Sequence, residues 1–284
     1  MADMKARQFQ GAGVTLAADV GGDPANPAVI LMHGGGQTRG SWGKTARELV
    51  RGGRHVISLD LRGHGESSWA TDGDYRLDAF AADLRRVIAT LARPPALVGA
   101  SLGGLTALMA VGESDKAIAS ALVLVDVAHT VDANGAENVI RFMEAAPDGF
   151  ASVEEAAEAV AAYLPHRPRP KVTGGLVKNL RKGKDGRYRW HWDPQFIRSV
   201  RKAPLLDHGR MAEAARRVRI PTQLIRGGRS DVVTAEAAAE FRRLVPAAEY
   251  VEIGSARHMI AGDSNDNFTT IVSGFLGRHG EAED

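Results

Sequence analysis

A serine, several strand-ending carboxylates and a late histidine are the residues whose types and spacing suit nucleophilic chemistry in this chain. Ser101 sits in Val98-Gly99-Ala100-Ser101-Leu102-Gly103-Gly104, with glycine two residues before it and two after. An apolar run, 95–98, precedes this stretch, and a helix-like run, 105–110, follows it. A strand–serine–helix junction of this kind is the nucleophile-elbow pattern. The chain turns so sharply that a Cβ on the flanking residues would meet the neighbouring strand or helix. The serine is left at the tip, and the N–H groups after it open a helix, where an anion is stabilised. A serine that only caps that helix would carry the same residues, so the groups around it must decide.

Attack on an acyl carbon needs a base for the serine proton, a carboxylate to orient the base and donors for the oxyanion. His33-Gly34-Gly35-Gly36-Gln37 directly follows the apolar run 28–32 and suits the donors, because three glycines let the backbone approach a substrate closely. A phosphate loop is rejected. The run Gly43-Lys44-Thr45 would need glycine at position 38, which is Thr38. The base is expected in a loop after the last strand, where His258 stands. Of the other histidines, His55 begins a strand, His279 lies in the tail, and His166, His191 and His208 fall in an insertion. Two carboxylates suit the orienting role: Asp126, ending the run 121–125, and Asp231, a few residues past the run 221–226. A sheet can bring either beside a histidine. Asp231, after the penultimate strand, is preferred as the acid. Asp60 is taken instead to anchor Arg62-Gly63-His64-Gly65.

The elements that must hold these residues read as alternating strands and helices. Apolar runs at 28–32, 55–60, 95–98, 121–126, 221–226 and 249–253 look like strands of a parallel sheet buried on both faces. Helical spacing occupies 44–50, 77–92 and 235–244, with a final helix over 268–276. The rhythm stops between 129 and 217. There a helix over 151–164 is followed by a basic, proline-punctuated piece. It includes Arg167, Arg169, Lys171, Lys178, Arg181, Lys182, Lys184, Arg187 and Arg189, and an Asp185-Gly186 turn leads into the aromatic ribbon Tyr188 to Trp192.

The 284 residues allow one large domain or a core plus an insertion. A formal net charge of +2 gives no reason to expect nucleic acid, and the lack of cysteine excludes disulfides, thiolate metal sites and a cysteine nucleophile. No signal peptide or membrane-spanning run is visible, so a cytoplasmic protein acting away from the membrane, as monomer or homodimer, is the expectation.

Taken together, the chain resembles the α/β-hydrolase superfamily from about residue 13 to 276. The resemblance is carried by His33-Gly34-Gly35 with Trp42, by Asp60-Leu61-Arg62-Gly63-His64-Gly65-Glu66-Ser67, by the elbow, and by Asp231 and His258 in the order serine, acid, histidine. It implies a doubly wound, mostly parallel eight-stranded sheet, with a mainly helical cap inserted after strand 6. The core would be residues 1–128 and 218–284, and the cap 129–217. It further implies Ser101, Asp231 and His258 as catalytic residues, Gly35 and Leu102 as oxyanion donors, and no metal or cofactor. Gly36, Trp42, Trp190 and Trp192 are candidates for a substrate pocket, although an aromatic run can equally pack the cap's own core. The 60–67 segment is a structural signature in the family and is given no catalytic role. Epoxide hydrolases and haloalkane dehalogenases share the histidine–glycine loop but use an aspartate nucleophile. Here the elbow holds serine, and Gly36 stands where those enzymes commonly have proline, so an alkyl-enzyme mechanism is not expected. The expected activity is hydrolysis of a small or medium-sized carboxylic ester. Lactonase, perhydrolase or haloperoxidase and carbon–carbon bond hydrolase chemistry remain as alternatives, together with a non-catalytic ligand binder. The basic cap residues are read as a solvated face, with attraction of a carboxylate-bearing ester as the rival.

Overall fold

The computed structural model describes residues 4–165, 175–203, 205–258, 260 and 265–279. Its strands are β1 (Lys5–Gln10), β2 (Thr15–Gly21), β3 (Ala28–Met32), β4 (His55–Leu59), β5 (Ala96–Ala100), β6 (Ala121–Val125), β7 (Leu180–Lys182), β8 (Tyr188–Trp190), β9 (Thr222–Gly227) and β10 (Glu249–Ile253). The helices are α1 (Gly43–Arg51), α2 (Leu77–Ile88), α3 (Leu102–Gly112), α4 (Ala133–Glu144), α5 (Val153–Tyr163), α6 (Pro194–Lys202), α7 (His208–Arg217), α8 (Ala235–Leu244) and α9 (Asn265–His279).

Eight strands form one sheet in the order β1-β2-β4-β3-β5-β6-β9-β10. The β1·β2 and β2·β4 pairs are antiparallel and all later pairs parallel. The central strands are buried on both faces, and their alternation sorts side chains into two cores. Val29 and Leu31 of β3, with Val123 and Val125 of β6, meet Leu49 of α1 and Phe268 and Phe275 of α9. Ile30 and Met32, with Leu122 and Leu124, meet Phe80 of α2, Leu108 of α3 and Phe241 of α8. Helices thus cover both faces of the sheet, α1 and α9 on one and α2, α3 and α8 on the other, the doubly wound arrangement expected.

The elbow helix starts one residue after Ser101. Ser101 itself lies in the left-handed region at φ 45°, a conformation that costs a non-glycine residue on the order of 1–3 kcal/mol. Close packing explains its neighbours: a Cβ on Gly99 would sit 2.5 Å from the Gly103 backbone, and one on Gly103 would sit 2.4 Å from the Met32 carbonyl oxygen.

The elements α4 to α7 and the β7–β8 ribbon lie between β6 and β9 in the chain, which is where the insertion was expected. The ribbon is antiparallel, Gly186 turns it at φ 80°, and Phe150 pairs alongside Tyr188. One helix of the stretch expected to be cap makes contacts with core helices. α7 packs against α3 and α8, and Arg210 pairs with Asp78 and Glu113 while Arg217 pairs with Asp115. His166, Arg167, Arg169, Lys171 and the acidic tail fall outside the described residues.

Candidate active site

Ser101, Asp126 and His258 stand at the carboxyl ends of β5, β6 and β10, where open α/β sheets place their sites. The Ser101 N–H donates to the Val125 carbonyl at 3.2 Å, so the residue after β6 lies directly beside the elbow. That residue is Asp126. It is fully buried and, like Ser101, adopts a left-handed backbone, at φ 48°. The Nδ1 of His258 is 2.8 Å from its Oδ2. The same oxygen accepts from the Ser230 hydroxyl, and Oδ1 accepts from the Gly227 N–H at 2.8 Å. The carboxylate is therefore held on both oxygens. With its Nδ1 taken, His258 keeps Nε2 as the nitrogen able to accept a proton.

The expected acid, Asp231, is not the carboxylate that meets the histidine. Asp231 is exposed, lines neither cavity at the site and makes no side-chain hydrogen bond or ion pair among the described residues. The reason lies in the turn after β9. Gly227, Gly228 and Arg229 carry the chain around so that Ser230 points inward to Asp126, and its oxygen accepts the N–H groups of Val232 and Val233. The next residue, Asp231, is turned to solvent.

The glycine loop after β3 is held by a buried histidine. His33 donates from Nδ1 to the Gly34 carbonyl at 2.8 Å and accepts the Leu61 N–H on Nε2 at 3.0 Å. Burial pushes its pKa down to about 4, which keeps it neutral and suited to this donor–acceptor role. Gly36 turns the loop at φ 72°, closed by the Gln37 N–H on the Gly34 carbonyl. The N–H groups of Gly35 and Leu102 make no hydrogen bond to another protein group among the described residues. Both residues border the space next to Ser101.

Ser101 and His258 line two adjoining cavities. One, of about 330 Å³, is also lined by Gly35, Gly36, Trp42, Trp190 and Trp192. Every residue expected in the pocket thus borders it, while the indoles also pack: Trp42 belongs to the core beside Phe268, and Trp190 and Trp192 stack at 5.0 Å. The other cavity, of about 420 Å³, is walled mainly by α4 and α6. Phe142, Met143, Tyr163 and Phe196, which border these spaces, were not singled out from the sequence. The apolar spacing of Val139, Phe142 and Met143 in α4 was the available signal for Phe142. The described basic residues of the insertion mostly bind nearby groups. Arg187 donates to the carbonyls of Asp148 and Gly149, Arg189 pairs with Asp185, and Arg181 donates to the Gly65 carbonyl. Among the described residues, no group of three or more His, Cys, Asp or Glu side chains is arranged to hold a metal ion.

Comparison with known proteins identifies the fold family. The family model described as the alpha/beta hydrolase fold matches residues 27–264. The chain is 31% identical over 274 residues to an esterase of Mycobacterium tuberculosis, Rv0045c, covering 93% of this chain and 87% of that protein. It is 28% identical over 272 residues to the mouse sn-1-specific diacylglycerol lipase ABHD11, covering 90% of this chain and 82% of the lipase. Among solved structures, the Mycobacterium tuberculosis esterase superposes with a TM-score of 0.78 at 26% identity, over 98% of this chain and 93% of that one. An E-2-(acetamidomethylene)succinate hydrolase shares the fold at a TM-score of 0.83 and 22% identity, over 96% of this chain and 99% of that one. No described helix is long and apolar enough to cross a membrane. On the family match, the near full-length esterase relative and the sheet order, the chain belongs to the α/β-hydrolase fold family.

Proposed function

We propose that the chain is a carboxylic ester hydrolase that works through an acyl-enzyme on Ser101, with His258 as base and Asp126 as the orienting carboxylate. The observation that carries this reading is the 2.8 Å contact between His258 Nδ1 and Asp126 Oδ2, made beside a strained elbow serine that borders the same cavity. The named esterase and lipase among its relatives support ester hydrolysis as the chemistry.

The steps follow from the donors and acceptors. His258 Nε2 takes the Ser101 proton as the oxygen attacks the ester carbon, and the carbonyl oxygen becomes an oxyanion facing the N–H groups of Gly35 and Leu102. Asp126 holds Nδ1–H in place and stabilises the imidazolium. His258 then protonates the departing alcohol. Water, activated by the same nitrogen, releases the acid and restores the serine. Each oxyanion donor in such a site lowers the barrier by about 3 kcal/mol. In this reading α4 to α6 and the β7–β8 ribbon form the cap over the site, and α7 closes the core.

The test is Ser101→Ala against p-nitrophenyl esters, with labelling by a fluorophosphonate. The expected result is a loss in kcat on the order of 10⁶-fold, with label on Ser101 in the wild type and none in the variant. A folded Ser101→Ala protein with wild-type turnover, or label on another serine, overturns the assignment.

A further inference from the structure

The two cavities share only four lining residues, and three of them belong to the reaction centre: Gly35, Ser101 and His258. The fourth, Val139, sits on α4 and stands between the two spaces. On one side, Phe142 and Tyr163 stack at 4.3 Å and 13°, and Trp190 and Trp192 stack at 5.0 Å and 14°. These four rings border the first chamber, and among the described residues no Asp, Glu, Lys or Arg side chain lines it. On the other side, Leu105, Ile140, Ile197, Val200, Leu205 and Leu206 line a chamber whose one aromatic wall among the described residues is Phe196, which meets His64, Tyr75 and Phe80 edge-on rather than in a stacked pair. Its ionic groups are spent on one another. Arg201 binds Glu137 at 2.6 Å and Glu144 at 2.7 Å across α6 and α4, and His208 is exposed.

We propose that the substrate is an uncharged ester that spans both chambers, with a planar ring on one side of the ester bond and an aliphatic chain on the other. The inference rests on the serine reading above and adds the substrate class. Flat rings gain from offset and edge contacts with aromatic walls, a preference of about two- to tenfold over a saturated ring of the same size. A chain gains with every methylene it removes from water, about fourfold in kcat/KM for each that finds room. Among the described lining residues a carboxylate on either half would be desolvated without an unpaired cation to receive it, since Arg201 is already bound by two glutamates. The substrate's charge is therefore set by the chambers and not by the basic residues on the cap's surface.

The experiment uses the full chain and two ester series: phenyl esters from acetate to octanoate, and benzoate esters from methyl to octyl, each with a cyclohexyl counterpart. In one series kcat/KM should rise with chain length until the chamber is filled, and the phenyl compounds should exceed their cyclohexyl partners. Val200→Trp narrows the aliphatic chamber and should lower the ratio of longest to shortest ester about tenfold while the ring preference persists. Leu205→Trp serves the same end if Val200→Trp melts early. Phe142→Leu should do the reverse, lowering the ring preference while the chain ratio persists. Flat ratios in both series, or variants that shift both ratios alike, overturn the two-chamber proposal. Ser101→Ala is assayed alongside on phenyl acetate. Serine-dependent turnover with flat ratios defeats this proposal alone, whereas serine-independent turnover defeats the reading beneath it. Absence of turnover in both series defeats both.

Discussion

Replacing Asp126 by asparagine separates the orienting acid from its neighbour by chemistry alone. The Gly227 N–H needs an acceptor at the Oδ1 position, so the new amide must keep its oxygen there and put its NH₂ where Oδ2 was. That NH₂ then faces His258 Nδ1 and Ser230 Oγ. Ser230 Oγ already accepts two backbone N–H groups, so the amide proton goes to Nδ1. His258 is thereby driven into the tautomer with its proton on Nε2, and it no longer accepts the serine proton. A wrong tautomer of this kind lowers kcat by about 10⁴ in a serine triad, which is about 5.4 kcal/mol at 1.36 per tenfold. KM should stay within about twofold, because Asp126 is fully buried behind the histidine and does not touch substrate. Asp231→Asn, at an exposed side chain, should change kcat by less than about twofold. Steady-state kinetics on one ester, with melting curves for both variants, decide the matter. Full activity in a folded Asp126→Asn protein, or a large loss in Asp231→Asn, refutes the reasoning.

Two more outcomes follow from the polar groups around the site. Ser230→Ala removes the hydroxyl bound to Asp126 and leaves the Val232 and Val233 N–H groups without their acceptor; it should cost about 1–3 kcal/mol in chemical denaturation and lower kcat, with Ser230→Thr restoring much of both. Acid should destabilise the fold through its buried neutral histidines, because burial holds His33 at about 4 and His64 at about 3, and burial with His64 nearby holds His191 at about 2. Their unfolded value is 6.5, so the unfolded chain binds more protons below it, and stability is complete above pH 6.5 and lost as pH falls towards 4. Each contributes up to about 1.4 kcal/mol per pH unit over that window, and a melting temperature that holds flat from pH 7 to 4.5 would contradict it.

What was legible in the sequence is what one strand or one turn determines by itself. Runs such as Ala28–Met32 and Ala121–Val125 are apolar at every position because both faces of the sheet are covered. The elbow is legible because Gly99 and Gly103 leave no room for a Cβ. β1 gave no comparable signal: Lys-Ala-Arg-Gln-Phe-Gln is almost wholly exposed on the sheet edge. The acid was ambiguous for a different reason. Ser101, Asp126, His258 and Ser101, Asp231, His258 have the same chain order, so order does not separate them. Only the inward aim of Ser230, set by the turn after β9, shows which carboxylate the histidine meets. The end of the insertion was equally hidden, since α7 is amphipathic whichever layer it packs against. Its place beside α3 becomes clear from partners nearly a hundred or more residues away, Glu113 and Asp78.

The Asp60–Ser67 segment acquires a task from the structure that its sequence did not suggest. Its backbone is where the insertion is fastened to the core. The Gly65 N–H donates to His191 Nδ1 at 2.8 Å, the Gly65 carbonyl accepts from Arg181, and the Gly63 carbonyl accepts the Asp193 N–H at 2.8 Å. Asp193 also receives the Tyr75 hydroxyl at 2.6 Å and caps α6 through the Gln195 N–H. The same segment reaches the glycine loop after β3, because the Leu61 N–H is held by His33, whose other nitrogen fixes the Gly34 carbonyl. One rigid turn therefore sets both the wall of the two chambers and the loop that carries Gly35. An acyl-transfer site needs its donors fixed relative to the substrate's two halves. In this chain the connection between them runs through His33, His64 and His191, with ring centroids 5.2 and 6.0 Å apart in succession. Their neutrality is then a condition for holding that geometry, and not only a term in stability.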